Sequence, residues 1–124
     1  MSTYKNRSFH VRLLFALQGL AHGLRTEASL RTQGVCAAAA LTALLVLRPA
    51  AVWWALVLLA SAGVLAAELL NTAIEHLADE LHPHDSPGIR AVKDCAAAAV
   101  LVAVLGALGV GVALAAHLLA RTSG

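Results

Sequence analysis

Six of the seven acidic residues in this sequence fall between positions 68 and 94. Their spacing is where chemistry first becomes legible. In AELLNTAIEHLADEL, residues 67–81, no proline or glycine interrupts a helix. At about 100° per residue, Glu68, Asn71, Glu75 and Asp79 point to about 0°, 300°, 340° and 20°, one stripe roughly 16 Å long. Leu70, Ile74, Leu77 and Leu81 take the opposite side, and Glu80 lies off the stripe as a solvated charge. Carboxylates on one face repel each other. A divalent cation relieves that repulsion, and magnesium needs only one or two carboxylates when phosphate oxygens complete its shell. The plainer alternative is a polar helix end emerging into water.

Other charged residues fit the same chemistry less tightly. Glu27 is the one acidic residue upstream, and it stands four residues before Arg31, the spacing of a surface ion pair on a helix. Lys93 can neutralise a phosphate or simply snorkel to an interface. Asp94 can orient that phosphate or pair with Arg90 one turn earlier. His82-Pro83-His84-Asp85 has no third partner and reads as a solvated loop. His10, His22, His76 and His117 read as interfacial side chains, and Cys36 and Cys95 as small apolar residues. The GALGVG string at 106–111 is helix packing, because no Lys-Ser/Thr follows it.

The elements that position these residues follow from composition. Of 124 residues, 60% are hydrophobic and 13% charged, with a mean hydropathy of +0.77. Soluble domains average about 45–50% apolar and about 25% charged. A water-soluble globule and a disordered chain are both excluded. Two cysteines cannot make a disulfide scaffold, and a net charge of +2 with no basic block argues against nucleic acid as a partner. An all-α integral membrane protein remains, a single domain over 1–124. Apolar runs at 34–47, 51–67 and 95–120 predict three spans, at 32–48, 51–81 with a polar extension, and 87–119. Phe9, Leu13, Leu17, Leu20 and Leu24 recur at helical spacing and predict an amphipathic surface helix over 5–30. That stretch lacks the apolar core of a secretory signal.

Seven of the nine basic residues, Lys5, Arg7, Arg12, Arg25, Arg31, Arg90 and Lys93, lie on one side of the predicted spans. Arg48 and Arg121 lie on the other. The bias predicts a cytoplasmic N-terminus and acidic face, with Trp53 and Trp54 at the opposite interface. Ser86-Pro87 reads as a helix N-cap with proline in the first turn. Ala99, Ala103, Ala107, Gly111 and Ala115 either form a stripe of small residues that lets helices approach closely or simply reflect alanine richness, and three spans alone bury few polar groups, which points to a homo-oligomer.

The string Glu68-x-x-Asn71-Thr72-Ala73-Ile74-Glu75-x-x-x-Asp79, followed by Lys93-Asp94 and an alanine-rich span, resembles the prokaryotic diacylglycerol kinase family, which also includes undecaprenol kinases. Ala16-x-x-Gly19-Leu20 and Glu27-Ala28-Ser29-Leu30-Arg31-Thr32-Gln33 are similar to its N-terminal region, so the resemblance runs over residues 12–118. It implies an ATP- and Mg²⁺-dependent lipid kinase that phosphorylates diacylglycerol to phosphatidic acid, with undecaprenol as the alternative acceptor. By the same resemblance, Glu68 is the general base and Glu27 and Glu75 are magnesium ligands. Asn71, Glu75, Asp79, Lys93 and Asp94 serve the nucleotide. Arg12, or Arg7, matches the family's N-terminal arginine. Glu68, Arg31 and Gln33 meet the lipid substrate. A homotrimer with shared active sites in the cytoplasmic membrane is implied as well. The chain departs from many diacylglycerol kinases at Gln33, where they carry glutamate, and in the loop His84-Asp85-Ser86. A proton-coupled transporter built on an intramembrane glutamate is the rival class, but three spans do not make the inverted repeats such proteins use.

Overall fold

The computed structural model describes residues 6–124, so Lys5 and the start of the predicted 5–30 helix lie outside the described residues. The chain forms four helices: α1 Phe9–Thr26, α2 Ala28–Leu47, α3 Ala51–Leu81 and α4 Pro87–Thr122. Helices α2, α3 and α4 are long and apolar enough to cross a membrane. Short turns make them antiparallel in sequence order. Helix α3 is central, packed against α4 on one flank and α2 on the other, and α1 lies across α2 and α3.

The first helix stops earlier than the periodicity suggests. Glu27 alone is extended, at φ −110° and ψ 115°, and residues 28–31 already belong to α2. Tertiary contacts cause this break, since no proline or glycine stands there. A Cβ at Gly23 would come within 2.8 Å of Leu30 Cδ2 and 3.2 Å of Leu69 Cδ2, so glycine lets α1 seat directly on the fully buried Leu30. The Glu27 backbone N–H donates to the Gly23 carbonyl at 2.8 Å. Arg31 Nη1 donates to the carbonyls of Leu24 and Arg25, both at 3.1 Å, satisfying groups that the end of α1 leaves orphaned. Arg31 is therefore a cap for α1, not the ion-pair partner of Glu27.

The other boundaries are local. Arg48 closes α2 in the left-handed region, at φ 46° and ψ 56°, with its N–H on the Leu44 carbonyl at 2.9 Å and Pro49 following. Ser86 Oγ accepts from the Ile89 N–H at 3.2 Å, with Pro87 in the first turn of α4, as the sequence predicts. Trp53 and His117 place their rings 5.4 Å apart, joining the start of α3 to the end of α4.

The central helix is inverted relative to a helix in water. Glu68 is 4% exposed and Thr72 7%, whereas Leu70, Leu77 and Leu81 are 64%, 59% and 65% exposed. A soluble helix turns its leucines inward. Intramembrane acids face the bundle interior or a watered cavity, and the apolar side faces lipid. Between α2, α3 and α4 runs an apolar groove of about 580 Å³, with Gln33 and Val64 toward one end and Leu47 and Leu118 toward the other. Ala107, Gly111 and Ala115 of the small-residue stripe line it.

Candidate active site

Chain reversal brings the start of α2, the polar end of α3 and the start of α4 to one end of the bundle. Glu68 is the deepest acid there. Ser29, in the first turn of α2, donates its hydroxyl to Glu68 Oε2 at 3.1 Å. One turn further along α3, Asn71 Nδ2 donates to Glu75 Oε1 at 3.3 Å. The Asn71 amide oxygen is buried with no hydrogen-bond partner among the described residues. Such an orphaned acceptor costs about 1–3 kcal/mol until a donor or cation meets it. Thr72 is buried beside them.

Two further contacts tie α3 to its neighbours. Glu27 Oε1 lies 3.4 Å from His76 Nε2, and the His76 ring stands edge-on to His22 with centroids 6.0 Å apart. His22 and His76 thus form part of the α1–α3 junction instead of acting as isolated interfacial side chains. Asp79 Oδ1 lies 2.5 Å from Lys93 Nζ, linking α3 to α4. Arg90 is engaged by Asp85 across the Pro87 turn, so Asp94 has no ion pair among the described residues. Asp94, Arg90, Ser86 and Asp85, with Pro87 and Ala91, line a small pocket at the start of α4.

The acidic stripe is therefore one face but three contacts: Glu68 toward α2, Asn71 with Glu75 along α3, and Asp79 toward α4. Among the described residues no three His, Cys, Asp or Glu side chains gather into a metal cage. Arg12 is exposed on α1 and makes no side-chain hydrogen bond or ion pair among the described residues, so the structure does not bring it to this cluster. Arg31 caps α1. Gln33 is half-buried at the head of the groove, one turn beyond Ser29.

Three residues at this end were not singled out by the sequence pattern. Thr72 projects at about 40° on the same helical wheel and was legible as part of the buried arc. Ser29 and His76 carry no local signal, because each gains its role from a different helix.

The arrangement suits transfer chemistry at a lipid surface. It offers a buried carboxylate near hydrocarbon, two further carboxylates nearer water, and a lysine beside them. A family model described as prokaryotic diacylglycerol kinase matches residues 14–115. The undecaprenol kinase of Bacillus subtilis is 33% identical over 94 residues, 76% of either chain. A diacylglycerol kinase of Synechocystis sp. is 33% identical over 102 residues, which is 82% of this chain and 58% of that protein.

Proposed function

This chain belongs to the prokaryotic diacylglycerol kinase family, a family of lipid kinases, and from that premise we propose that it transfers the γ-phosphoryl group of ATP to the hydroxyl of diacylglycerol, giving phosphatidic acid at the cytoplasmic face of the membrane. The observation that carries this reading is the place of Glu68. It is a buried carboxylate one turn beyond Val64, at the head of an apolar groove. A lipid lying in that groove presents its hydroxyl to Glu68. The carboxylate takes the hydroxyl proton as the oxygen bonds to the γ-phosphorus and ADP departs. General-base assistance of this kind is worth about 10²–10⁴-fold.

The surrounding residues do the positioning that dominates phosphoryl transfer. Glu27 and Glu75 would hold magnesium, which supplies charge neutralisation at the phosphate oxygens. The donor set fits an ion that arrives with ATP rather than a closed protein cage: two carboxylates, each with one oxygen engaged by a side chain, and the orphaned Asn71 oxygen nearby. Lys93 exchanges Asp79 for phosphate, and Asp94 and Asn71 orient the nucleotide. Arg12, exposed on α1, would reach the nucleotide from outside this cluster. Arg31 and Gln33 meet the lipid headgroup side of the groove. A homotrimer with shared sites completes the arrangement.

Undecaprenol is the second reading, favoured by the Bacillus subtilis relative that matches 76% of this chain. Purified protein with Mg²⁺, γ-labelled ATP and each lipid in turn separates the two. Label is expected on diacylglycerol, and Glu68→Gln is expected to lower the rate by at least about 100-fold with nucleotide binding kept. Undiminished turnover by Glu68→Gln would overturn the assignment of the base. Label on undecaprenol alone would overturn the acceptor.

A further inference from the structure

We propose that Ser29 is a positioning residue for the phosphoryl-transfer base, aiming one oxygen of Glu68 at the acceptor hydroxyl by engaging the other. The inference rests on Glu68 serving as that base. Helix α2 starts at Ala28 because the chain breaks at Glu27, so Ser29 falls in its first turn. Glu68 is 39 residues away on α3, and the Ser29 hydroxyl donates to its Oε2 at 3.1 Å. No other side-chain donor reaches Glu68 among the described residues. A carboxylate on a flexible side chain can rotate both oxygens out of line. A donor fixed to Oε2 sets the plane of the group and leaves Oε1 free to accept the lipid proton. Misplacement by about 1 Å can cost about 100-fold in rate, so one well-placed hydrogen bond is large on this scale.

The same bond couples two parts of the site. Ser29 lies two residues after Glu27, in the first turns of α2 that also carry Arg31 and Gln33. A shift of this end of α2 therefore moves the base as well as the Glu27 carboxylate.

Ser29→Thr and Ser29→Val test this, because valine copies the shape of threonine without the hydroxyl. Ser29→Thr is expected to stay within about threefold of wild-type kcat, and Ser29→Val to lose about 10- to 100-fold in kcat at saturating lipid and Mg-ATP. KM for Mg-ATP, and Mg²⁺-dependent binding of a fluorescent ATP analogue, are expected to be unchanged in both. Ser29→Ala, with less bulk than either, carries the same expectation as Ser29→Val and guards against a packing defect. Wild-type kcat in Ser29→Val and Ser29→Ala would overturn the proposal, as would equal losses in Ser29→Thr and Ser29→Val, or a loss confined to nucleotide binding. Glu68→Gln run in parallel keeps the two failures apart. If it is inactive while Ser29→Val is normal, the positioning role alone fails; if it is active, the base assignment fails and the positioning role with it.

Discussion

Lys93 shows how much of the proposed site is poised rather than locked. Its ammonium lies 2.5 Å from Asp79 Oδ1, yet the two side chains are 37% and 63% exposed. An exposed pair of this kind contributes about 0–1 kcal/mol, so it holds the lysine in place without trapping it. Lys93→Met should therefore shift the thermal midpoint in detergent very little, while weakening Mg-ATP binding by about tenfold or more as a phosphate contact is lost. Equal nucleotide affinity in Lys93→Met and wild type would remove Lys93 from the nucleotide site. The register of the acidic residues was readable in advance, because an unbroken helix over 67–81 fixes which side chains share a face. Which neighbour each acid meets was not. Glu27 stands four residues from Arg31, which favours a local pair, but Arg31 Nη1 turns to the carbonyls of Leu24 and Arg25, and Glu27 turns to His76. That choice is made by the approach of α1 to α3, which no local pattern encodes.

Among the elements, the junction of α1 and α2 is the decisive one. Ser86-Pro87 marked the start of α4 through two local rules, and the structure follows them. The break at Glu27 has no such mark. It exists because Gly23 admits Leu30, and because Arg31 can reach back to the carbonyls thereby exposed. The predicted helix over 5–30 thus missed a corner that carries Glu27, Ser29 and Arg31. Gly23→Ala places a methyl group 2.8 Å from Leu30 Cδ2, and Leu30 has no exposed surface into which to retreat. Overpacking of this kind costs about 1–3 kcal/mol. Two effects are expected: a lower midpoint of thermal unfolding in detergent, and a fall in phosphoryl transfer as the Glu27 corner shifts. A Gly23→Ala protein with wild-type midpoint and rate would show that α1 can leave Leu30 without disturbing the site, and the corner would lose its role.

The whole molecule is sorted by polarity along its long axis. The polar contacts Ser29–Glu68, Glu27–His76 and Lys93–Asp79 lie at one end, together with Asp85 and Arg90. The other end holds the Arg48-Pro49 turn and the Trp53–His117 contact. Helix α3 alone has 31 residues, which at about 1.5 Å each gives roughly 46 Å, enough to cross the hydrocarbon and project beyond it. Along α4, Leu101, Val102, Leu105, Leu108, Val112 and Leu119 are all exposed, a surface too apolar for water and suited to acyl chains. The charge bias then predicts the direction. The start of α4, with Arg90 and Lys93, lies on the side of the N-terminal arginines and should face the cytoplasm, leaving the Arg48 turn outside. With Cys36 and Cys95 replaced by alanine, His84→Cys should react with a membrane-impermeant maleimide in inside-out vesicles and stay protected in right-side-out ones. Ala50→Cys should behave in the opposite way. Reaction of His84→Cys from the outer face would put the acidic end away from cellular ATP, and neither Glu68 nor Lys93 could then serve a kinase that draws on the cytoplasmic nucleotide pool.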